Sequence, residues 1–492
     1  MKLLDLLILS SYFLTLGVLA IYGLHRFFLV LLYLKHRNAR AVPPARFREL
    51  PRLTVQLPLF NEVYVAARLI DAACALDYPR ERLEIQVLDD SDDETTEICR
   101  RKVEEYRARG VDIAHVRRGS REGFKAGALA AGLARSRGDL IAIFDADFLP
   151  PSDFAGRIVH HFTDPSIGMV QARWGHLNRD HSSLTRVQSI FLDGHFVIEQ
   201  TARNRSGRFF NFNGTAGVWR RTCIESAGGW QHDTLTEDLD LSYRAQLAGW
   251  RFLFLPDLVT PAELPVEMNA FKSQQHRWAK GSIQTGMKLL PRILRSPLPA
   301  GVKIEAFFHL TSNAAYLLMA LLSLLLFPAI RVREQFRWQD FLVIDLPIFA
   351  LATGSVLAFY LLSQRQVRSG WRRSLRDLPA LMAVGIGLCV NNSRAVLEAL
   401  TGHPTGFVRT PKLRIEGQDR SWRHLRYRGA LSSFTFLELG LGLYFTFVLG
   451  YALAHRIYVS VPFLLLFQAG YLTTALLSLG QRFGRRASRS AA

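Results

Sequence analysis

The sequence predicts an α/β domain with a mostly parallel sheet and helices on both faces, inserted between transmembrane α-helices. Three observations lead to this prediction. Short apolar runs alternate with helical segments between residues 53 and 144. Two of these runs end directly in a pair of carboxylates, Asp89-Asp90 and Asp145-Ala146-Asp147. Long apolar runs lie on either side of the block and have the length of membrane spans.

The elements of the α/β block follow one another at the spacing of strand–helix units. The first strand, Leu53–Leu57, is expected to end at Pro58, which has no N–H to donate to a neighbouring strand. The pattern then predicts, in order, a helix over Glu62–Ala75, a strand over Leu83–Leu88, a helix over Thr95–Arg109, a strand over Ala114–Val116, a helix over Lys125–Ser136 and a strand over Leu140–Phe144.

Five apolar runs approach or exceed the roughly 20 residues that span the hydrocarbon of a bilayer. They are Leu6–Leu34, Phe307–Ile330, Phe341–Leu362, Leu431–Leu453 and Ile457–Leu479. The first run is too long for a signal-peptide core and lacks a small-residue cleavage site, so it predicts a retained anchor. We therefore expect an integral membrane protein of the plasma or inner membrane, or of the Golgi in a eukaryote.

The basic charge of the chain lies beside these apolar runs. Lys and Arg number 61 against 42 Asp and Glu, which gives a net charge of +19. Basic segments next to spans are typical of cytoplasmic loops. No nucleic-acid partner is expected, because no nucleic-acid-binding module accompanies the charge. The four cysteines have no paired spacing, which argues against a disulfide framework or a zinc site and fits a reducing compartment.

These loops predict one path through the membrane, with the α/β block in the cytoplasm. The expected units are an N-terminal anchor over 1–34, a cytoplasmic domain over 35–304, two transmembrane helices over 305–363, a cytoplasmic segment over 364–430, two transmembrane helices over 431–480 and a basic tail over 481–492. Leu378–Leu400 favours an interfacial helix, because its uncharged apolar part, Leu378–Val390, is short for a span. A sixth span is the alternative.

The carboxylates that follow the strands are candidate ligand-binding groups. Residues two apart in an extended segment face the same side, so Asp145 and Asp147 can converge on one cation. Magnesium and manganese prefer such oxygen ligands and leave positions open for phosphate. A solvated loop is the alternative for this pair. Asp89 and Asp90 fit either ligand binding or capping of the next helix.

Two further motifs lie later in the block. Thr236-Glu237-Asp238 precedes a predicted helix over Leu239–Leu247, and it could cap that helix or supply Asp238 as a general base. Gln274-Gln275-His276-Arg277-Trp278 offers amide donors, a fixed cation for a diphosphate and an aromatic surface for a sugar ring. Its alternative is an interface helix anchored by Trp278 near lipid headgroups.

Taken together and in this order, the motifs resemble family 2 processive glycosyltransferases of the cellulose synthase superfamily. The residues around these motifs are most similar to those of the cellulose synthase-like mannan and glucan synthases, of the glucomannan 4-β-mannosyltransferase type. Supporting stretches are Gln56–Glu62, Lys125–Leu129 and Phe212–Arg220. The resemblance covers residues 50 to 290 strongly and implies a GT-A fold.

The resemblance also implies roles for single residues. Asp238 would be the catalytic base, and Asp145 with Asp147 would hold a divalent metal, Mg²⁺ or Mn²⁺. The implied donor-binding residues are Asn61, Glu62, Asp89, Asp90, Lys125, Asp145, Gln274 and Arg277. The implied acceptor-binding residues are Phe212, Asn213, Gly214, Thr215, Glu237 and Trp278. Phe407-Val408-Arg409-Thr410-Pro411-Lys412 is similar to the gating loop of cellulose synthases, with Phe407, Thr410 and Lys412 as its matching residues.

The implied function is inverting transfer of a hexose from UDP-glucose or GDP-mannose to a growing β-linked polysaccharide, with β-1,4 as the expected linkage. The chain would be exported across the bilayer. A glycolipid synthase that adds one sugar to a lipid is the main alternative, and a non-catalytic nucleotide-sugar-binding protein is a further one. Expected partners are the nucleotide sugar, a glycan or lipid acceptor and the bilayer, while accessory subunits stay open.

Overall fold

A computed structural model of the 492-residue chain describes residues 3–336, 341–404, 406, 408–417, 426–427 and 429–489. Its central sheet has seven strands in the order β3-β2-β1-β4-β6-β5-β7. The strands are β1 (Leu53–Leu59), β2 (Leu83–Asp89), β3 (Ile113–Val116), β4 (Leu140–Ile143), β5 (Ile167–His176), β6 (Gly217–Arg220) and β7 (Arg251–Ala262). Strand β6 is antiparallel to β4 and β5, and the other pairs are parallel, so the predicted mostly parallel sheet is confirmed.

Strand β1 does not end at Pro58, in contrast to the prediction. Pro58 pairs with Leu88 of β2 in register, and the strand continues to Leu59. The carbonyl of Gln56 accepts from Phe144 N on the β4 side, and the β1–β4 pairing stops at Gln56. Pro58, two residues on, faces the same side beyond the last β4 pair, so its missing N–H removes no ladder hydrogen bond.

Helices cover both faces of the sheet. The α-helices of the first 295 residues are α1 (Leu3–His36), α2 (Ala66–Cys74), α3 (Thr95–Ala108), α4 (Phe124–Arg135), α5 (Phe154–Val159), α6 (Ser183–Asp193), α7 (Thr201–Arg205), α8 (Arg221–Ser226), α9 (Glu237–Leu247) and α10 (Met268–Arg295). Of these, α1, α6 and α10 pack mainly on other helices. Along β4, Leu140 and Ala142 join a core with α2, α3 and α5, whereas Ile141 and Ile143 join a core with α4, α8 and α9. This alternation is the period of two that a strand buried on both faces requires.

Helix α2 begins four residues later than predicted. Asn61 has a φ of 56°, in the left-handed region, and the following turn is closed by Val65 N donating to Glu62 O at 3.1 Å. The backbone therefore turns before it becomes helical, and the carboxylate of Glu62 faces the cleft at the end of the sheet.

The C-terminal half contains seven further helices in the described residues. They are α11 (Ala300–Thr311), α12 (Ala314–Gln335), α13 (Phe341–Val367), α14 (Leu378–Gly387), α15 (Cys389–Leu400), α16 (Thr435–Ala454) and α17 (Val461–Arg489). The predicted span Phe307–Ile330 is divided between α11 and α12, which are separated at Ser312 and Asn313.

Within the described residues, five segments are helical, long and apolar enough to cross a membrane by length and composition. They are Leu3–His36, Ala314–Gln335, Trp371–Leu400, Thr435–Ala454 and Tyr458–Gln481. Four correspond to predicted spans. The predicted span Phe341–Leu362 lies in α13, where several side chains, those of 341–346 among them, are outside the described residues.

The segment predicted as an interfacial helix, Leu378–Leu400, forms two helices, α14 and α15. α14 contacts α17 and α6, and α15 lies between α10 and α12. About 72% of the most apolar 18-residue stretch of Trp371–Leu400 is buried inside the protein. A helix on a membrane surface instead leaves one long face uncovered by protein. The choice between five and six spans stays a prediction. Burial among helices does not by itself require a crossing, and both ends of the segment contact the α/β domain, through Asp377 with Arg186 at 3.1 Å and Lys412 with Asp147 at 2.8 Å.

Helix α10 connects the α/β domain to the C-terminal helices through buried polar contacts. Lys272 Nζ lies 2.7 Å from Glu438 Oε1 and donates to Thr435 Oγ1 at 3.2 Å, both on α16. Asn391 Nδ2 of α15 donates to Lys272 O at 2.9 Å. Because Lys272 and Glu438 are 3% and 0% exposed, neither charge can be compensated by water.

We predict that Lys272→Met lowers stability by about 3–5 kcal/mol, because it leaves the buried Glu438 carboxylate without its cation. The double variant Lys272→Met/Glu438→Leu should recover most of the loss, since it removes both charges. Thermal unfolding in detergent micelles measures the difference. Equal losses in the single and double variants would show that packing volume, and not the ion pair, stabilises this junction.

Candidate active site

One cleft lies at the carboxyl ends of β1, β2 and β4, between the start of α9, the middle of α10 and residues 408–412. It encloses a cavity of about 190 Å³. Most of the site residues implied by the sequence line it, although they come from distant parts of the chain. These lining residues are Glu62, Asp90, Lys125, Asp145, Asp147, Asn213, Gly214, Glu237, Asp238, Gln274, Arg277, Trp278, Thr410 and Lys412.

Asp145 and Asp147 each face a lysine ammonium in this cleft. Lys125 Nζ lies 2.6 Å from Asp145 Oδ1, and Lys412 Nζ lies 2.8 Å from Asp147 Oδ2. Burial acts to lower the pKa of Lys125, but the charges of Asp145 and Glu237 outweigh it and raise that pKa. The lysines that pair with these carboxylates therefore come from other parts of the chain, Lys125 from α4 and Lys412 from the segment after α15.

These carboxylates also fit a divalent cation. Their oxygens are hard ligands, and both side chains open onto a cleft with room for the phosphate and water that a magnesium or manganese ion keeps. Within the described part of the chain, no cluster of three or more His, Cys, Asp and Glu side chains forms a larger metal site.

Asp238 occupies the first turn of α9, and its Oδ1 accepts a hydrogen bond from Leu239 N at 2.8 Å. Burial and then the neighbouring Glu237 charge raise its pKa to about 7, against the opposing effect of Lys125. Gly214 lies against this carboxylate, since a Cβ there would come within 3.0 Å of Asp238 Oδ2, and its φ is +80°. A half-buried carboxylate in the cleft lining with a pKa near neutrality has the property of a general base.

Helix α10 approaches the Thr236-Glu237-Asp238 motif closely because it carries Gly281 at the contact. A Cβ at residue 281 would lie 2.5 Å from Thr236 Oγ1 and Cγ2. Gln284 Oε1, one turn further along, accepts from Leu235 N at 3.0 Å. These contacts hold Asp238 and the Gln274–Trp278 motif on the same side of the cleft.

The capping alternatives from the sequence do not describe these motifs. Thr236 stands at the N-cap position of α9, but its side chain makes no capping bond there. At α3, Thr95 N donates to Asp93 Oδ1, and not to Asp89 or Asp90. Trp278 lines the cleft, in contrast to the alternative that placed it at lipid headgroups.

Asp89 and Asp90 have different positions, although they are neighbours in the chain. Asp90 lines the cleft and accepts from Arg118 Nε at 2.9 Å. Asp89 is buried behind it, where it accepts from Ser91 N and contacts His115 Nε2, both at 2.9 Å. Because successive residues of a strand face opposite sides, only one of the two carboxylates reaches the cleft.

Three other implied binding residues also lie behind the lining. Asn61 Nδ2 donates to Asp92 Oδ1 at 2.7 Å, and Thr215 Oγ1 accepts from Asp145 N at 2.9 Å. Phe212 is fully buried and packs edge-on against Trp219, with ring centroids 5.5 Å apart. Asn61, Asp89, Phe212 and Thr215 therefore lie outside the cleft lining in this structure, and their roles in binding stay predictions.

The gating-loop-like segment covers the cleft. Arg277 NH1 donates to Val408 O at 3.1 Å, and Arg409 NH1 lies 3.1 Å from Glu62 Oε1. Burial raises the pKa of Glu62 to about 8. Phe407, the first residue matched to the motif, lies outside the described residues.

Glu263, at the end of β7, holds the same segment from below. Its Oε1 and Oε2 accept from Leu413 N and Arg414 N, each at 2.9 Å, and its N–H donates to Asp147 Oδ2 at 3.2 Å. Burial raises its pKa to about 7, against the opposing effect of the Leu413 N–H. The sequence analysis missed Glu263. Its one available signal was a carboxylate directly after an apolar strand, as at Asp145.

Comparison with known proteins identifies the domain that contains this cleft. Residues 51–281 match the protein family described as "Glycosyltransferase like family 2". These residues form a glycosyltransferase family 2 domain. The chain is 45% identical over 251 residues to glucomannan 4-beta-mannosyltransferase 2 of Arabidopsis thaliana. The aligned region covers 50% of this chain and 47% of that relative. It is 38% identical over 328 residues to glucomannan 4-beta-mannosyltransferase 7 of the same plant, covering 64% and 58%.

The chain thus spans about half the length of the curated relatives it matches. Among solved structures, it is similar to mannosyltransferase PcManGT from Pyrobaculum calidifontis in complex with GDP-Man and Mn²⁺. The TM-score is 0.52 at 23% sequence identity, over 79% of this chain and 100% of that one. The resemblance to cellulose synthase-like mannan synthases and the GT-A fold of the family 2 domain are confirmed.

We predict that Gly281→Ala destabilises the protein by about 1–3 kcal/mol, because the added methyl must displace Thr236 in a packed contact. Gly286→Ala, on the same helix, is the matched control, since its Cβ would meet Leu310 at 3.4 Å, an ordinary contact. Thermal unfolding compares the two variants. A Gly281→Ala protein as stable as the control would contradict the close approach of α10.

We also predict that Asp238→Asn stabilises the protein more at pH 8 than at pH 5.5. The pKa of Asp238 is raised on folding, so its contribution to stability is fully present below its unfolded pKa and is lost as pH rises through about 7. Asparagine stays neutral and escapes this loss. The melting temperatures of both proteins across this pH range measure the effect, and a pH-independent difference would contradict the raised pKa.

Proposed function

We propose that this protein is an inverting hexosyltransferase that extends a β-linked polysaccharide at a membrane, with β-1,4 as the expected linkage. The observation that carries the proposal is the convergence of Asp90, Asp145, Asp238 and Arg277 on one cleft from four distant parts of the chain. The cleft contains two carboxylates paired with lysines, a carboxylate whose pKa is about 7 and a guanidinium. A nucleotide-sugar transferase needs these groups.

The donor diphosphate would lie between the cationic and the acidic sides of the cleft. Lys125 and Arg277 supply positive charge toward its oxygens, and Asp90 and Gln274 lie where they can contact the rest of the donor. Asp145 and Asp147 would hold Mg²⁺ or Mn²⁺, which when bound neutralises charge on the leaving nucleoside diphosphate. Glu62 sits beside Arg409 at the edge of the same cleft.

Asp238 would remove the proton from the acceptor hydroxyl. The hydroxyl oxygen then attacks the anomeric carbon from the face opposite the diphosphate, the bond to the phosphate oxygen breaks, and the anomeric configuration inverts. No covalent intermediate on the protein is required. Trp278 offers a ring for the acceptor sugar, and Asn213, Gly214 and Glu237 lie on the same wall.

We place the family 2 domain on the cytoplasmic side, because the basic segments 365–376 and 409–428 adjoin the helices that can span a membrane. Export of the polymer is proposed from the resemblance to processive synthases and from the helices able to span a membrane that flank the domain.

GDP-mannose is the donor that the comparisons favour, with UDP-glucose as the alternative. Both curated relatives are named glucomannan 4-beta-mannosyltransferases, and the solved structure with the same fold contains GDP-Man and Mn²⁺. A mannan or glucomannan would then be the product.

The test is to offer the purified protein in lipid nanodiscs each labelled nucleotide sugar with Mg²⁺ or Mn²⁺, and to analyse the linkage of the product. We expect GDP-mannose to give β-1,4-linked oligomers. Asp238→Asn should reduce transfer by about a hundredfold or more and still bind GDP, because it removes the base and keeps the side-chain shape. Wild-type turnover in Asp238→Asn would exclude Asp238 as the base.

Asp233→Asn is the matched control, because Asp233 is an exposed carboxylate on the preceding loop that pairs with Lys288. It should transfer hexose at the wild-type rate. A product with one sugar on a lipid would identify a glycolipid synthase, and binding of nucleotide sugar without transfer would identify a non-catalytic protein.

A further inference from the structure

A π-helical turn lies directly behind the acceptor wall of the cleft. It spans Gly194–Gln200 and joins α6 to α7. Gly194 permits close contact with α13, since a Cβ there would lie 2.5 Å from the Phe359 ring and 2.7 Å from the Tyr360 ring. π-Helical turns inside longer helices occur frequently at functional sites. None of its residues was identified from the sequence.

This turn holds the side-chain amide of Asn213 at both ends. Gln200 Nε2 donates to Asn213 Oδ1 at 2.7 Å, and Asn213 Nδ2 donates to His195 Nε2 at 2.9 Å. The backbone N–H of Asn213 donates to Gln171 Oε1 at 3.0 Å. The hydrogen-bond pattern therefore determines which way the amide of this cleft residue faces.

The tautomer of His195 follows from its other partner. Its Nδ1 lies 3.0 Å from Glu199 Oε2, and a carboxylate can only accept at that position. Nδ1 therefore carries the proton, and Nε2 presents the lone pair that Asn213 Nδ2 requires. A carboxylate, an imidazole and an amide thus form an ordered chain that ends at the cleft.

Buried charges continue this chain to the first membrane helix. Arg203 NH1 lies 3.3 Å from Glu199 Oε2, and its Nε donates to Glu305 Oε1 at 2.8 Å. Glu305 Oε2 in turn lies 3.0 Å from His25 Nε2 of α1. Arg203 and the Glu305 side chain are 3% and 1% exposed, so these charges are costly to bury and depend on one another, and on Glu199 and His25, for compensation.

We propose that His195 and Glu199 are positioning residues for the acceptor, which act by orienting the Asn213 amide toward a sugar hydroxyl. With one N–H bonded to His195 and one oxygen lone pair to Gln200, the amide keeps a second N–H and a second lone pair for the cleft. A hydroxyl is both donor and acceptor, so this pair of groups matches the terminal sugar of a glycan. The inference rests on the proposed function, because it deepens the acceptor side of the same cleft.

The test compares His195→Phe with His195→Gln in full-length protein in nanodiscs, using GDP-mannose and β-1,4-mannotetraose as acceptor. His195→Phe keeps a ring but removes the acceptor for Asn213 Nδ2. It should raise the KM for mannotetraose about tenfold and leave the KM for GDP-mannose unchanged. A lower melting temperature is expected too, because Glu199 Oε2 loses its donor, so the split between the two KM values is the decisive readout. His195→Gln retains an amide oxygen that can accept from Asn213 and should restore most of the loss.

His160→Phe is the matched control, because His160 Nδ1 also accepts a hydrogen bond, from Phe47 N at 3.1 Å, away from the cleft. It should leave the KM for mannotetraose unchanged. An enzyme that transfers mannose with the same acceptor KM in His195→Phe and wild type would overturn the inference and leave the proposed function standing. Equal increases in donor and acceptor KM would also overturn it. A wild-type protein that transfers no hexose from either donor would contradict both the proposed function and this inference.

Discussion

The close approach of α10 to the start of α9 is the contact on which the cleft depends. Gly281 lets the α10 backbone lie against Thr236, and this brings the base Asp238 and the motif residues Arg277 and Trp278 to one side of the site. The same helix is joined to α16 by the buried pair Lys272 and Glu438. A displacement of α10 would therefore disturb the cleft and the junction with the membrane helices together.

The electrostatics of the cleft follow from the burial of many charges in a small volume. Glu62, Asp238 and Glu263 have raised pKa values because burial disfavours their charged forms. Lysines compensate the remaining carboxylates, with Lys125 beside Asp145 and Lys412 beside Asp147. Lys412 belongs to the segment over the cleft, and it pairs with Asp147 inside the cleft. The charge balance at Asp147 and the position of that segment therefore depend on each other.

The parts of the fold that were predicted well are those that local pattern controls. The alternation of apolar runs and helical segments predicted the first four strands to within two residues at each end, because buried parallel strands are continuously apolar. The two wrong element boundaries, the end of β1 and the start of α2, have physical reasons that only the folded structure shows. Pro58 is tolerated because β4 ends beside it, and α2 starts late because Asn61 turns the backbone.

The same division applies to the site. Motif order indicated Asp90, Asp145, Asp238 and Arg277, and the structure brings them to one cleft. Spacing could not separate Asp90 from Asp89, because which neighbour faces the cleft depends on the pleat of β2. Glu263 and His195 were missed for a related reason. Each acts through contacts with residues more than ten positions away, and the one local signal, the carboxylate of Glu263 directly after an apolar strand, does not identify those partners.

By itself, the sequence determined the domain class, the apolar runs that flank it and the chemical groups available for nucleotide-sugar chemistry, since these depend on residue type and local periodicity. Only the tertiary structure decided which of those groups share the cleft and which lie behind it. It also decided that Lys412 faces Asp147 and that a buried chain of charges connects Asn213 to α1. The physical reason is that charge compensation in a buried site depends on distances across the fold, which no order of residues along the chain specifies.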